Sequence, residues 1–128
     1  MIKFRAWDKE NEIYLYNVQD AYDMLSGFVK YDDGENASYD ECCFGDFLDN
    51  KRYDVEQFTG LKDVNGKDIY EGDILENRKY RSIVKFASGK FLADLIETIQ
   101  TFDLIGETHG SKVIGNVHEN PELLEEKK

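Results

Sequence analysis

The chain has 128 residues, 41% of them hydrophobic and 13% aromatic, and carries a formal net charge of −11. That length fits one domain, or one domain with an elaborated insertion, and the apolar content suffices for a core. A single Pro argues against a Pro-rich linker or tail, no apolar run approaches the roughly 18 residues of a membrane-spanning helix, and acid in this excess repels phosphate and anionic membrane.

The opening Ile2-Lys3-Phe4-Arg5-Ala6-Trp7 alternates, which puts Ile2, Phe4 and Ala6 on one face of a strand and Lys3, Arg5 and Trp7 on the other. Met1 to Arg5 lacks the apolar stretch of a signal peptide, so a cytoplasmic location is expected. Asp8-Lys9-Glu10-Asn11 is a polar turn, and Ile13 to Tyr16 returns as a second strand, giving an N-terminal β-hairpin. Trp7 beside Arg5 either covers the edge of a core or offers a ligand platform. Asp20 caps a short helix through Leu25, stopped near Gly27, or else the segment is a bend. Phe28 to Tyr31 reads as a strand and Asp32 to Asn36 as a turn. Cys42-Cys43-Phe44 and Phe47-Leu48 are apolar islands whose register the sequence does not define.

Charge is concentrated in this part. Between Glu10 and Asn50 there are eleven acids against the single base Lys30. Asp32, Asp33, Asp40 and Glu41 are its candidate partner-binding acids, and a solvated loop is the plainer reading. Cys42 and Cys43 are adjacent, so a bridge between them would close a strained ring, and two free thiols are expected. With His109 and His118 far from both, no zinc pattern forms, and neither metal nor cofactor is expected.

Arg52 to Phe58 leads as a strand into FTGLKDVNGKDIYEGD, Phe58 to Asp73, the stretch on which the later strands are laid. Asn65-Gly66 is the strongest short hairpin signal, because both residues tolerate the left-handed backbone of a tight turn. Asp63, Asn65 and Asp68 crowd together as in a calcium loop. The glycine comes too early for that pattern, however, and no bidentate Glu closes it. Glu71-Gly72-Asp73 is a second turn, followed by strands at Ile74 to Glu76 and Ser82 to Phe86. Arg78, Lys79 and Arg81, between those strands, form the one dense basic cluster, which reads first as an ordinary solvated turn and otherwise as a contact for phosphate or for the acidic segment of a neighbouring subunit. Ala87 to Lys90 is a hairpin turn and Phe91 to Ala93 returns. From Asp94 to Phe102 the pattern is ambiguous: Leu95, Ile96, Ile99 and Phe102 fit a helical stripe that β-branched residues weaken. Lys112 to Val117 is the last strand, Asn120-Pro121 starts one terminal helical turn, and Glu125 to Lys128 should fray.

The expected fold is mainly β: a small SH3-like barrel from about Arg52 to Val117, with the N-terminal hairpin and one or two short helices. It is organised as a single domain, 1–57 holding the hairpin and acidic segment and 58–124 the barrel-like core and closing motif. Three separated blocks, IKFRAWD (Ile2 to Asp8), TGLKDVNGKDIYEGDIL (Thr59 to Leu75) and VIGNVHENPELL (Val113 to Leu124), resemble the YopX-like family of small phage and prophage proteins, mostly of low-GC Gram-positive bacteria. The match is looser from about Asn17 to Asp54 and from Phe91 to Ser111. The resemblance implies a β-rich, homo-oligomer-forming protein of unknown biochemical role. It supplies no catalytic residues. Trp7, Gly60, Asp63, Gly66, Tyr70, Glu71, Gly72, Asp73, Gly115, Asn116, Glu119 and Asn120 are its motif residues here, with structural roles expected.

No phosphate-cradling glycine loop, paired-histidine helix or nucleophile elbow occurs, so the reading is not enzymatic. The first expectation is an accessory protein that self-assembles and acts by binding a host or phage protein. The alternative is an acidic nucleic-acid mimic that occupies a host DNA-binding protein. A third, direct nucleic-acid binding through Lys3, Arg5, Trp7 and the Arg78-Lys79-Arg81 turn, is disfavoured by the net charge.

Overall fold

Alternation at the N-terminus builds the first strands. In the computed structural model, which describes residues 2–21 and 27–125, β1 (Phe4–Asp8) pairs antiparallel with β2 (Ile13–Tyr16), Arg5 opposite Tyr16 and Asp8 opposite Ile13. Asp8 fastens the turn between them, its Oδ1 accepting the N–H of Glu10 at 3.0 Å. Arg52 grips both of its oxygens, at 2.9 and 2.8 Å. β1 pairs on its other side with β3 (Tyr53–Lys62), from Phe4 opposite Gln57 to Asp8 opposite Tyr53.

The chain divides into two compact units, Met1–Gln57 and Phe58–Lys128, and the boundary falls inside β3. In the first unit Ala6, Leu15, Val18, Val29, Phe47 and Tyr53 form the buried core. A six-residue helix, α1 (Phe44–Asp49), supplies Phe47, which is fully buried against Tyr39 and Tyr53 at ring distances of 5.6 and 4.8 Å. The expected strand at Phe28 to Tyr31 reduces to isolated bridges from Lys30 to Tyr16 and Asn36. Val29 is buried in the core and Tyr31 packs against it, while Phe28 is mostly exposed. The expected helix from Asp20 lies mostly outside the described residues; Val18–Asp20 before it is a single 3-10 turn.

In the second unit the last part of β3 pairs with β4 (Asp68–Tyr70) across the Asn65-Gly66 turn, Lys62 opposite Asp68. The register shifts between Phe58 and Lys62, where Gly60 has a positive φ of 85°, so this glycine marks a bulge inside one long strand rather than a strand end. β5 (Asp73–Glu76), β6 (Arg81–Ala87), β7 (Lys90–Leu95), β8 (Thr101–Asp103) and β9 (Lys112–Asn116) form an antiparallel sheet of order β8-β7-β6-β5-β9. The β6–β7 hairpin turns at Ser88 and Gly89, both with positive φ, as the twist of the strands requires. Ser82, Val84 and Phe86 lie opposite Leu95, Ala93 and Phe91, so these six share one face. Val84 and Ala93 join Ile69, Leu75 and Leu104 in the core.

The ambiguous stretch resolves as the end of β7, a turn, and β8. Leu95 is buried while Ile99 is fully exposed, so the two do not share a helical stripe. The fold is mainly β, as expected, and Pro121–Leu124 forms the short terminal turn.

Candidate functional site

Several of the motif residues fasten turns. Asp63 is buried, and its carboxylate accepts three backbone N–H groups: Oδ1 from Asn65 at 2.8 Å and Lys67 at 2.9 Å, Oδ2 from Val113 of β9 at 2.9 Å. Burial pushes this carboxyl up, but the three donors and nearby Lys67 outweigh it and hold the group below the usual carboxylate range. One side chain thus closes the Gly66 turn and ties it to the last strand. Asp73 does the same for the Glu71-Gly72 turn, accepting the Tyr70 N–H at 2.8 Å. Gly72, at a φ of 88°, donates its N–H to Val84 and accepts one from Val117.

The closing motif is a second knot. Asn116 Oδ1 accepts the N–H groups of His118 and Glu119, and its amide donates to Glu119 Oε1 at 2.8 Å. Asn120 Oδ1 accepts the Asn116 N–H at 3.2 Å. Gly115 faces this side chain so closely that a Cβ there would lie 2.5 Å from Asn120 Oδ1. The glycine is therefore required by close approach.

On β1, Arg5 and Trp7 are 4% and 8% exposed. Arg5 Nε donates to Glu56 Oε1 at 2.8 Å and its guanidinium lies 4.3 Å from the Tyr14 ring centre. Trp7 meets Tyr14 edge-on at 4.9 Å. Both residues are thereby withdrawn from the nucleic-acid surface considered from the sequence.

The candidate acids are partly gathered. Asp40 and Glu41 line one open depression of about 570 Å³ with Asp46, Asp49, Asn50 and Lys51. Asp32 and Asp33 lie apart from it on an exposed turn. Glu41 is buried and accepts the Tyr53 hydroxyl at 2.8 Å. Burial, with Glu41 beside it, pushes that hydroxyl well above its ordinary value, so Tyr53 stays protonated. Glu41 is thus a structural acceptor.

Sequence reading missed an apolar surface. The core-facing row of the β6–β7 hairpin continues past its cover: beyond Val84 and Ala93 come Phe86 and Phe91, whose rings pack at 4.9 Å. With Thr59, Leu61, Leu104 and Ile105 they line a groove of about 320 Å³. Phe86 is 49% and Ile105 69% exposed, and the rim charges Lys90 and Asp103 neutralise each other at 2.8 Å. The alternating Ser82-Val84-Phe86 and Phe91-Ala93-Leu95 around one turn was the available signal, but alternation says nothing about where cover ends. Cys42 and Cys43 are exposed and free, and among the described residues no cluster of three or more His, Cys, Asp or Glu could hold a metal ion. No described helix is long and apolar enough to cross a membrane.

These features define a mainly β protein in which Asp63, Asp73, Asn116 and Asn120 hold turns together and an apolar groove lies at an open core end. A family model described as YopX protein matches residues 3–125, and the chain belongs to that family. It is similar to the crystal structure of protein EF1440 from Enterococcus faecalis, with 34% identity and a TM-score of 0.63 over 98% of this chain and 99% of that one. It also resembles the crystal structure of protein yopX from Bacillus subtilis, at 22% identity and a TM-score of 0.56 over 98% of each chain, a likeness that bears on the fold alone. Comparison with curated proteins gives no match.

Proposed function

We propose that this chain is a non-catalytic phage or prophage accessory protein of the host cytoplasm that acts by binding protein, first of all a second copy of itself. The observation that carries this is the open core end: Phe86 and Ile105, with half-buried Phe91, form an apolar groove whose floor is the buried Leu104. Apolar surface of this kind gains free energy by being covered. Sedimentation velocity over a wide concentration range tests the proposal. A defined oligomer that Phe86→Asp converts to monomer is the expected result, and a strict monomer at every concentration sinks the self-assembly reading.

A second reading, the nucleic-acid mimic, draws on the meeting of Asp40, Asp46 and Asp49 around one depression. Such binding is steered by charge and weakens as salt rises. Replacing Asp40, Asp46 and Asp49 by Asn, together with Asp32 and Asp33, tests it without touching Glu41, which holds the Tyr53 hydroxyl. A host complex indifferent both to those changes and to ionic strength would rule the mimic out.

A further inference from the structure

Acids outnumber bases by 27 to 16, so a cation in this chain normally has a carboxylate at hand. In the second unit Lys62, Arg81, Lys85 and Lys90 each hold one, on Asp68, Glu76, Asp94 and Asp103. Arg78, Lys79 and Lys112 form no ion pair among the described residues. They are neighbours in the fold: Arg78 and Lys79 sit on the turn between β5 and β6, and Lys112 opens β9, the other strand beside β5.

Arg78 and Lys112 line one depression of about 280 Å³ with Val64, Glu76, Asn77 and Gly110. Glu76, its one acid, is taken by Arg81 at 3.0 Å, which leaves the lining net positive in an acidic protein. Val64 adds an apolar patch that is mostly exposed. The walls are held in place. Asn77 Oδ1 accepts the N–H groups of Lys79 and Tyr80 at 2.8 and 2.9 Å and so fixes the basic turn. The Val64 N–H donates to Ser111 O at 3.1 Å, and Asp63 binds the Val113 N–H, so the motif carboxylate also sets the spacing of this depression.

We propose that this depression docks an extended acidic peptide segment of a protein partner, its carboxylates meeting Arg78 and Lys112 and an apolar side chain covering Val64. Charge complementarity selects the occupant. Paired cations would have to give up a carboxylate before taking another, whereas these need not. A polynucleotide needs a longer cation track and would bring its phosphates against a chain of net charge −11. A short segment is spared that repulsion, because charges beyond about 8 Å are largely screened at physiological salt. The site is separate from the apolar groove, and its failure would leave the self-assembly reading standing.

The test is an amide NMR titration of the full chain at physiological salt with a short synthetic peptide alternating Glu and Val. Its Gln-for-Glu counterpart and a single-stranded oligonucleotide serve as controls. Shifts centred on Val64, Asn77 to Lys79 and Gly110 to Lys112, seen with the acidic peptide alone, are expected. Arg78→Glu with Lys112→Glu should weaken binding by at least about tenfold, while Phe86→Asp leaves it unchanged. If the charge-reversed variant loses spectral dispersion, Arg78→Gln with Lys112→Gln is used, together with the fall in affinity as salt rises. Equal binding of the Gln peptide, shifts confined to other residues, unaltered affinity in the double variants, or displacement by the oligonucleotide would overturn the proposal.

Discussion

At Gly115 the side chain is excluded by distance. A methyl group there would meet Asn120 at 2.5 to 2.9 Å, and Asn120 cannot swing away without releasing the Asn116 N–H. Gly115→Ala is expected to cost roughly 1–3 kcal/mol, read as a lowered melting temperature. Most of that cost should disappear in an Asn120→Gly background, and an unchanged cost there would show that the crowding lies elsewhere. Asp63 makes a different prediction, in pH. Its folded pKa lies below the ordinary value of 3.8. Its contribution to stability is therefore fully present above that ordinary value and is lost as pH falls through the lower folded one. Asp8 behaves alike: burial raises it, but Arg52 and the N–H groups of Asn11 and Glu10 lower it further. Urea unfolding should show stability falling as pH drops below about 4, less steeply in Asp63→Asn, which should also lose roughly 2 kcal/mol at neutral pH. An unchanged slope would mean that Asp63 is not among the groups titrating there.

Elements were legible where turns carried glycine and strands alternated. The hairpins at Asn65-Gly66 and Ser88-Gly89 stand where the sequence puts them, because positive φ is a demand few residues meet. The segment that escaped is α1. Phe44, Phe47 and Leu48 have helical spacing, but six residues interrupted by Gly45 give too little periodicity to read. The helix forms because Phe47 fills the first core, so packing, not propensity, specifies it. Phe47→Ala is expected to cost about 3–5 kcal/mol and to melt α1 with the rest of the core in a single transition. Loss of α1 signals well before global unfolding would show that the helix is not part of that core. The motif residues were legible as positions but not as geometry: nothing in the sequence says that Asp63 reaches Val113, 50 residues on. The apolar groove was illegible for the same reason, since Leu104 and Ile105 come to Phe86 only through the sheet.

Over the whole molecule the charge is one-sided, a net −11, and like-charge repulsion opposes the compact state. Eleven acids between Glu10 and Asn50 face one base, and few of the described ones have a cation to hold. Salt should therefore stabilise this protein: raising it from about 10 mM to about 100 mM shortens the screening length from roughly 30 Å to 10 Å. The melting temperature should rise over that range, and Asp32→Asn with Asp33→Asn should raise it at low salt alone. A melting temperature that falls with salt would mean that ion pairs such as Arg52 with Asp8 outweigh the repulsion.

The boundary between the two units falls in the middle of β3, and this has a consequence for the order of events during synthesis. The first unit cannot be completed from its own N-terminal stretch: Arg5 waits for Glu56, 51 residues later, to emerge. The same strand then meets β4 within a few residues, where Lys62 finds Asp68 across a tight turn. On a growing chain the hairpin of β1 and β2 can close early, but the outer edge of β1 stays unpaired until β3 appears. The strand that finishes the first unit is then already starting the second.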